Sequence, residues 1–367
     1  MVRSNKPNPA KHGNRHHVDV AASTGARARL IQRQTWKVAS PLPSDDLFLR
    51  KISCKAVRYN LTVSYSDAMV APAWVGCNRT LAVVVPTLNA AKLWRVFQEG
   101  LRQQGLKPQQ ILIVDSSSTD GTLELARSAG YRVLSIARSE FNHGGTRQVA
   151  AELLQPVDIL VYLTQDAILA NNDAIVRLVG SFEDPSIGAA FGRQLPRVGA
   201  GPIESHARNF NYPPESRVGT LAERDALGFK AIFFSNSFGA YRRTALEQAG
   251  GFPRESNFGE DTVVAARLLQ NGWSIAYVAE AQVYHSHAHS FGEEFQRYYR
   301  IGRLHGTEPW LLRDFGKASG EGRRFAISEI QYLFRHAPWL IPEAVLRTGL
   351  KYLGYKRGRV SVEQPPS

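Results

Sequence analysis

An α/β fold with a mostly parallel sheet flanked by helices is predicted for this 367-residue chain by three observations. Short unbroken apolar runs recur at Leu81–Pro86, Ile111–Val114 and Ile159–Leu163, as expected of strands buried on both faces. Helical patterns alternate with them, and this rhythm builds parallel sheets. Acids stand where the runs stop: Asp115 after the second, Asp166 after the third, and the pair Glu260-Asp261 before a later helix. In open α/β sheets ligands bind beyond the carboxyl ends of the strands, so these acids are predicted to face a cleft.

In order, Leu81 to Pro86 predicts a strand, Ala91 to Gln104 a helix, Ile111 to Asp115 a strand, and Thr119 to Ala129 a helix that Gly130 stops. Tyr131 to Ile136 predicts a strand, Gly145 to Leu154 a helix and Ile159 to Leu163 a strand. Further on come a strand at Ala231 to Phe234, a small-residue turn through Asn236-Ser237 and a helix from Thr244. Ser274 to Val278 predicts one more strand, followed by a short loop to His285.

Charge is unevenly spread. Residues 1 to 79 hold 13 Lys/Arg against 4 Asp/Glu, and residues 306 to 367 hold 10 against 6, leaving 22 against 22 between. A neutral middle argues against a nucleic-acid groove, and the basic ends suit an anionic surface. The only cysteines, Cys54 and Cys77, lie outside the patterned region, so neither a disulfide framework nor a cysteine metal site is expected, and a reducing compartment fits. No uncharged apolar run reaches the roughly 18 residues of a spanning helix. Residues 1 to 79 show no sustained period and read as a poorly ordered extension.

Val85-Pro86-Thr87-Leu88-Asn89 is followed some 25 residues later by Val114-Asp115-Ser116-Ser117-Ser118-Thr119-Asp120-Gly121-Thr122. A strand-end carboxylate followed by hydroxyls at a helix start suits a nucleobase and ribose, with the helix N-terminus toward phosphate. Helix capping by Ser118 or Asp120 explains part of the same pattern. Asp261 precedes a helical run and could likewise be a cap, although capping does not require the acid before it.

These two segments, with Thr164-Gln165-Asp166 and Gly259-Glu260-Asp261 in the same order, resemble the family 2 inverting glycosyltransferases of the GT-A fold over about residues 80 to 305. Phe141-Asn142-His143-Gly144-Gly145-Thr146-Arg147, Leu163-Thr164-Gln165-Asp166-Ala167 and Val283-Tyr284-His285-Ser286-His287 resemble the bacterial rhamnosyltransferase branch. The resemblance implies a nucleotide sugar, dTDP-L-rhamnose, held by Pro86, Thr87, Asn89 and Asp115, with Asp115 on the base. Ser117, Asp120, Asn142, Gly144, Arg147 and Gln165 are the further donor-site candidates; Arg147 could pair with phosphate or be a solvated helix residue. Asp166 is implied as the ligand of Mg²⁺ or Mn²⁺ at the diphosphate. The family's usual first acid of Asp-X-Asp is Thr164 here, which leaves one carboxylate, still workable for Mg²⁺. His285 is the expected additional metal ligand, because alternate residues of an extended segment point oppositely and only one of His285 and His287 should face the cleft. The implied base is Asp261, with Glu260 positioning the acceptor.

The C-terminal region predicts helices at Phe325 to Arg335 and Glu343 to Tyr355. In the second, Val345, Leu346, Gly349, Leu350 and Leu353 share one face, while Glu343, Arg347 and Lys351 mark another, before Lys356-Arg357-Gly358-Arg359. Such a helix can lie on an anionic bilayer or pack on a catalytic domain. The chain is thus expected to comprise an extension (1–79), a GT-A-like domain (80–305) and an amphipathic helical extension (306–367). It is expected to be cytoplasmic, peripheral on the inner membrane, and to act on a cell-surface glycan or lipid-linked acceptor. Another nucleotide sugar, or a non-catalytic nucleotide- or glycan-binding protein on the same scaffold, is the alternative.

Overall fold

The computed structural model describes residues 62–63, 73–74, 77–316 and 319–363, all within one compact unit. The expected disorder of residues 1 to 79 otherwise lies outside the described residues. The first long strand, β1, spans Cys77–Thr87, four residues earlier than predicted, and the short strands Thr62–Val63 and Ala73–Trp74 pair with the third strand and with β1.

Five elements follow as the periodicity predicts, within a few residues: α1 (Trp94–Gln103), β2 (Ile111–Asp115), α2 (Thr122–Ser128), β3 (Arg132–Ser135) and α3 (His143–Leu153). β4 (Ile159–Leu163) closes this half, and β3-β2-β1-β4 run parallel. Alternation sends Ala82, Val84, Leu112, Val114, Leu160 and Tyr162 to one face. Leu81, Val83, Ile111, Ile113, Ile159 and Val161 go to the other. Both faces are covered, which is why these strands read as unbroken apolar runs.

The second half is mixed. It contains β5 (Ile168–Leu169), α4 (Ala174–Gly180), β6 (Ile187–Leu195), α5 (Pro202–Asn211), β7 (Arg217–Gly219) and α6 (Arg224–Leu227). Next come β8 (Phe238–Arg242), α7 (Arg243–Gln248), α8 (Glu260–Gln270) and β9 (Ser274–Tyr284). The sheet continues from β4 through β8, β6 and β9 to β5, with β8 antiparallel to both β4 and β6 and β9 parallel to β6.

Ala231 to Phe234 is no strand: Gly228–Ile232 is a 3₁₀ turn, and the strand is β8. Ala231 and Ile232 of the turn and Phe234 just after it are as buried as strand residues would be, so apolarity alone could not separate the two. Gly239 disguises β8, and it is required there, since a Cβ would lie 2.7 Å from the Phe234 ring. β9 continues past Val278 to Tyr284 because a register shift between Val278 and Gln282 breaks its alternation without ending the strand.

The chain ends in α9 (Phe291–Thr307), α10 (Pro309–Phe315), α11 (Ser319–His336) and α12 (Ile341–Glu363). The expected boundary at 305/306 falls inside α9. α9 and α12 meet along glycines: a Cβ on Gly302 would lie 2.1 Å from the Tyr355 carbonyl oxygen, and one on Gly358 2.0 Å from that of Tyr299. The polar face of α12 turns inward, where Arg347 bonds Glu294 at 2.7 Å and Glu343 at 2.7 Å and Lys351 reaches Glu294 at 3.1 Å. Its apolar residues Val345, Leu346 and Leu353 are exposed, beside Phe334 and Trp339, which are 73% and 74% exposed.

Candidate active site

The loops after β1 and β2 are tied into one surface. Asp115, 1% exposed, accepts from the Thr87 hydroxyl at 3.1 Å, the Ser118 hydroxyl at 2.5 Å and the Ser118 N–H at 2.9 Å. A carboxylate offers about four lone-pair sites, so one remains on Oδ2 for a ligand donor. Asn89, at φ 51°, accepts from the Thr119 N–H at 2.9 Å, while its own N–H donates to Ser118 Oγ at 2.9 Å. Ser117, at φ 62°, donates to the Ile136 carbonyl. Asp120 accepts from the Ala91 N–H and from both the N–H and the hydroxyl of Thr122, pinning the start of α2 to the first loop. Gln165 clamps Leu88 from both sides, its Oε1 accepting from the N–H at 2.7 Å and its Nε2 donating to the carbonyl at 3.0 Å. Pro86 is paired in register with Val114, directly before these loops.

Three donor-site candidates have other tasks. Asn142 caps α3, accepting from the Gly145 N–H at 2.6 Å. Gly144 permits close packing, since a Cβ there would lie 1.9 Å from the Pro253 carbonyl oxygen. Arg147 is neither solvated nor free for phosphate: it is 4% exposed and paired with Glu260 at 3.0 Å.

Asp166, His285 and His287 converge, with one donor atom from each lying within 4.8 Å of the others. Asp166 is 3.5 Å from His285 Nε2 and 3.4 Å from His287 Nε2. Arg208 donates to Gln194 Oε1 at 2.6 Å, which fixes that oxygen as an acceptor, so His285 Nδ1, 2.9 Å away, must carry its proton there. In that tautomer Nε2 is the ring atom turned toward Asp166. Burial first, and then His285, lowers His287 to about 4, so His287 is neutral at pH 7. Burial would raise the Asp166 carboxyl, yet His285, by hydrogen bond and charge, and then Thr164 and His287 hold it well below its usual range. A carboxylate and two imidazoles meeting at one point suit a divalent cation such as Mn²⁺ or Zn²⁺. The expectation that only one histidine faces the cleft is corrected: β9 ends at Tyr284, and the non-strand backbone beyond it lets both rings turn the same way.

Glu260 and Asp261 open α8, whose N-cap is Gly259, so Asp261 is not the cap. Asn236 holds both acids, its amide donating to Glu260 at 3.0 Å and its N–H to Asp261 at 3.3 Å. Burial opposes ionisation of Glu260, but Arg147, His143 and Asn236 outweigh it and lower its carboxyl. Burial and the Glu260 charge push Asp261 up to about 7. Adjacent acids driven apart in this way divide their roles: a fixed anion and a group that exchanges a proton near neutrality. Asn236 and Gln194 were missed from sequence. The polar Ser235-Asn236-Ser237 turn between apolar runs was a usable signal for the first, whereas nothing marks Gln194. Together they connect the two centres, because Gln194 also donates to Ser235 Oγ at 2.9 Å, next to Asn236.

The sequence profile of glycosyl transferase family 2 matches residues 82–250. The O-antigen chain rhamnosyltransferase RfbN of Salmonella typhimurium is 46% identical over 280 residues, covering 76% of this chain and 89% of that protein. WbaN of Salmonella anatum, also an O-antigen chain rhamnosyltransferase, is 46% identical over 281 residues with the same coverage. The mannosyltransferase PcManGT of Pyrobaculum calidifontis, solved with GDP-Man and Mn²⁺, shares the fold, with a TM-score of 0.51 at 16% identity over 87% of this chain and 96% of that one. The GT-A-like sheet, the strand-end site and these relatives agree: the chain belongs to glycosyltransferase family 2 and is an inverting glycosyltransferase.

Proposed function

We propose that the protein transfers L-rhamnose from dTDP-L-rhamnose to a saccharide of a bacterial cell-surface glycan. The sugar is suggested by the names of relatives at 46% identity. The observation that carries the chemistry is the split acid pair, with Glu260 lowered and Asp261 raised to about 7. Asp261 takes the proton of an acceptor hydroxyl as its oxygen attacks the anomeric carbon, and the bond to the nucleoside diphosphate breaks on the opposite face. Glu260 stays ionised against Arg147 and, through Asn236, keeps Asp261 in place. Asp115, Thr87 and Asn89 organise the surface for the nucleotide. Asp166, His285 and His287 would hold the cation, which when bound offsets charge growing on the leaving diphosphate. His287 thereby supplies the ligand that Thr164 does not.

No helix among the described residues is long and apolar enough to cross a membrane. The exposed apolar face of α12, with Phe334, Trp339 and the exposed Lys356 and Arg357, supports seating on the anionic cytoplasmic face of a membrane. There the region from 306 onward serves as the membrane-facing extension of the catalytic part. Slow hydrolysis of a panel of nucleotide sugars tests the donor without needing an acceptor. Preference for dTDP-L-rhamnose is expected; preference for another donor overturns the sugar, and no turnover of any donor or acceptor pair overturns the enzyme.

A further inference from the structure

A cavity of about 560 Å³ lies between α5, the Gly228–Ile232 turn and the C-terminal helices α9, α11 and α12. Thr262, which follows Asp261, and His287 both line it, so it reaches the reacting end of the site. Much of its wall lies beyond residue 250, where the family profile ends.

Its charges mostly cancel one another. Arg197 pairs with Glu204 at 2.9 Å, Lys230 with Glu321 at 2.8 Å, and Arg347 and Lys351 with Glu294. What remains is unsatisfied polarity. Glu329 is 1% exposed and neither carboxylate oxygen has a hydrogen-bond partner. His305 is equally buried: its Nδ1 meets the Tyr355 hydroxyl at 3.1 Å, while its Nε2 has no partner. Arg208 Nε is likewise unpartnered, and Arg297, exposed on the lining, forms no ion pair among the described residues. A buried polar atom left without a partner costs about 1–3 kcal/mol, so such a group marks a place for an absent ligand or ion. Aromatic rings are interleaved with these atoms, with Phe210 and Phe325 edge to face at 5.2 Å and Phe229 against His305 at 4.7 Å.

Charge that is mostly paired off, isolated acceptors and donors, and aromatic faces match a pyranose ring, whose hydroxyls both donate and accept and whose C–H face packs on aromatic rings. A polyanion would instead call for a row of unpaired cations along a groove, whereas among the described lining residues only Arg208 and Arg297 lack an acid partner. We propose that this cavity binds the acceptor saccharide, with Glu329 and His305 meeting hydroxyls of a pyranose ring and the aromatic side chains packing on its face. The assignment rests on the proposed function for its role, and it makes the C-terminal helices part of the acceptor site.

The test is saturation-transfer NMR of the full chain with methyl α-L-rhamnopyranoside, methyl α-D-mannopyranoside and methyl β-D-galactopyranoside, with and without dTDP and Mn²⁺. Binding of at least one glycoside is expected, weakened about tenfold or more by Glu329→Met, with dTDP affinity unchanged. Because Met removes a buried carboxyl that has no partner, the variant should also melt at a higher temperature than the wild type. Arg297→Ala, at an exposed position, gives a second reading without risk to folding and should weaken the same glycoside. No glycoside binding by the wild type in either state, or equal binding by both variants, overturns the proposal. Glycoside binding that persists in a protein turning over no nucleotide sugar sinks the proposed enzyme function and leaves the saccharide site standing.

Discussion

The donor loops and the acceptor wall are finished to different degrees. Around Asp115 the loops bond one another: Asn89 reaches Ser118 and Thr119, Asp120 reaches Ala91, and Gln165 closes on Leu88. Around Glu329 a carboxylate, an imidazole nitrogen and a guanidinium N–H wait without partners. The donor half is therefore shaped before its ligand arrives, while the acceptor half still lacks some of its hydrogen bonds. Between them stands the Asn236 turn, which touches both acids.

The largest break in this contrast is expected from Asp261→Asn. Turnover should fall about 10²- to 10⁴-fold while dTDP affinity by calorimetry stays at the wild-type value, because a base is needed only as the hydroxyl attacks. Unchanged turnover would move the base elsewhere. The same variant should melt higher than the wild type at pH 8. Asp261 is raised from 3.8 to about 7 in the fold, so stability present below the unfolded value is lost as pH rises through about 7. The advantage of Asn should shrink between pH 7 and 4 and vanish below that.

Asp166→Ala should lower Mn²⁺-dependent dTDP affinity by about tenfold or more and leave metal-free affinity alone. Equal affinities with and without Mn²⁺ in both proteins would remove the cation from the donor half. In the rate profile, kcat/KM should climb through about pH 7 as Asp261 ionises. Glu260→Gln should shift that limb to lower pH, because the neighbouring negative charge is gone. A limb that stays put would uncouple the pair.

On the acceptor side, Gly358→Val should cost about 1–3 kcal/mol in thermal or urea unfolding, since its Cβ meets the Tyr299 carbonyl oxygen. Turnover of soluble acceptor should fall more than donor hydrolysis; equal losses would deny the helices a separate part. The smallest effect is expected from Phe334→Ser with Trp339→Ser, which should weaken sedimentation with anionic vesicles, most clearly at low salt, and leave soluble turnover intact.

Much of the donor half was legible because strands buried on both faces are continuous apolar runs, and a polar residue at their end stands out. Asp115 and Asp166 could be read in this way, and Glu260-Asp261 as paired acids at a helix start. Gln194 could not, since its importance lies in what it touches across 91 residues of sequence, and the polar turn that marks Asn236 does not show its bond to Glu260, 24 residues on. The periodicity of α12 showed two faces but not which turns inward. Only its contact with Glu294 decides that the charged one does. Arg147 read as a phosphate partner or a solvated helix residue because its actual partner, Glu260, lies far along the chain.

The glycine seam between α9 and α12 sets a fixed dimension. With Gly302 and Gly358 each pressed onto the opposing backbone, neither helix can slide without a collision. Gly259 at the start of α8 is packed as closely on Leu304 of α9, so the offset of the outer apolar stripe from the helix that carries the reacting carboxylate is constant, like the opening of a locked calliper. In the proposed seating of that stripe on a bilayer, the new sugar is added at one height above the lipid. Acceptors whose terminal hydroxyl stands higher or lower are then excluded by length before any of their chemistry is read.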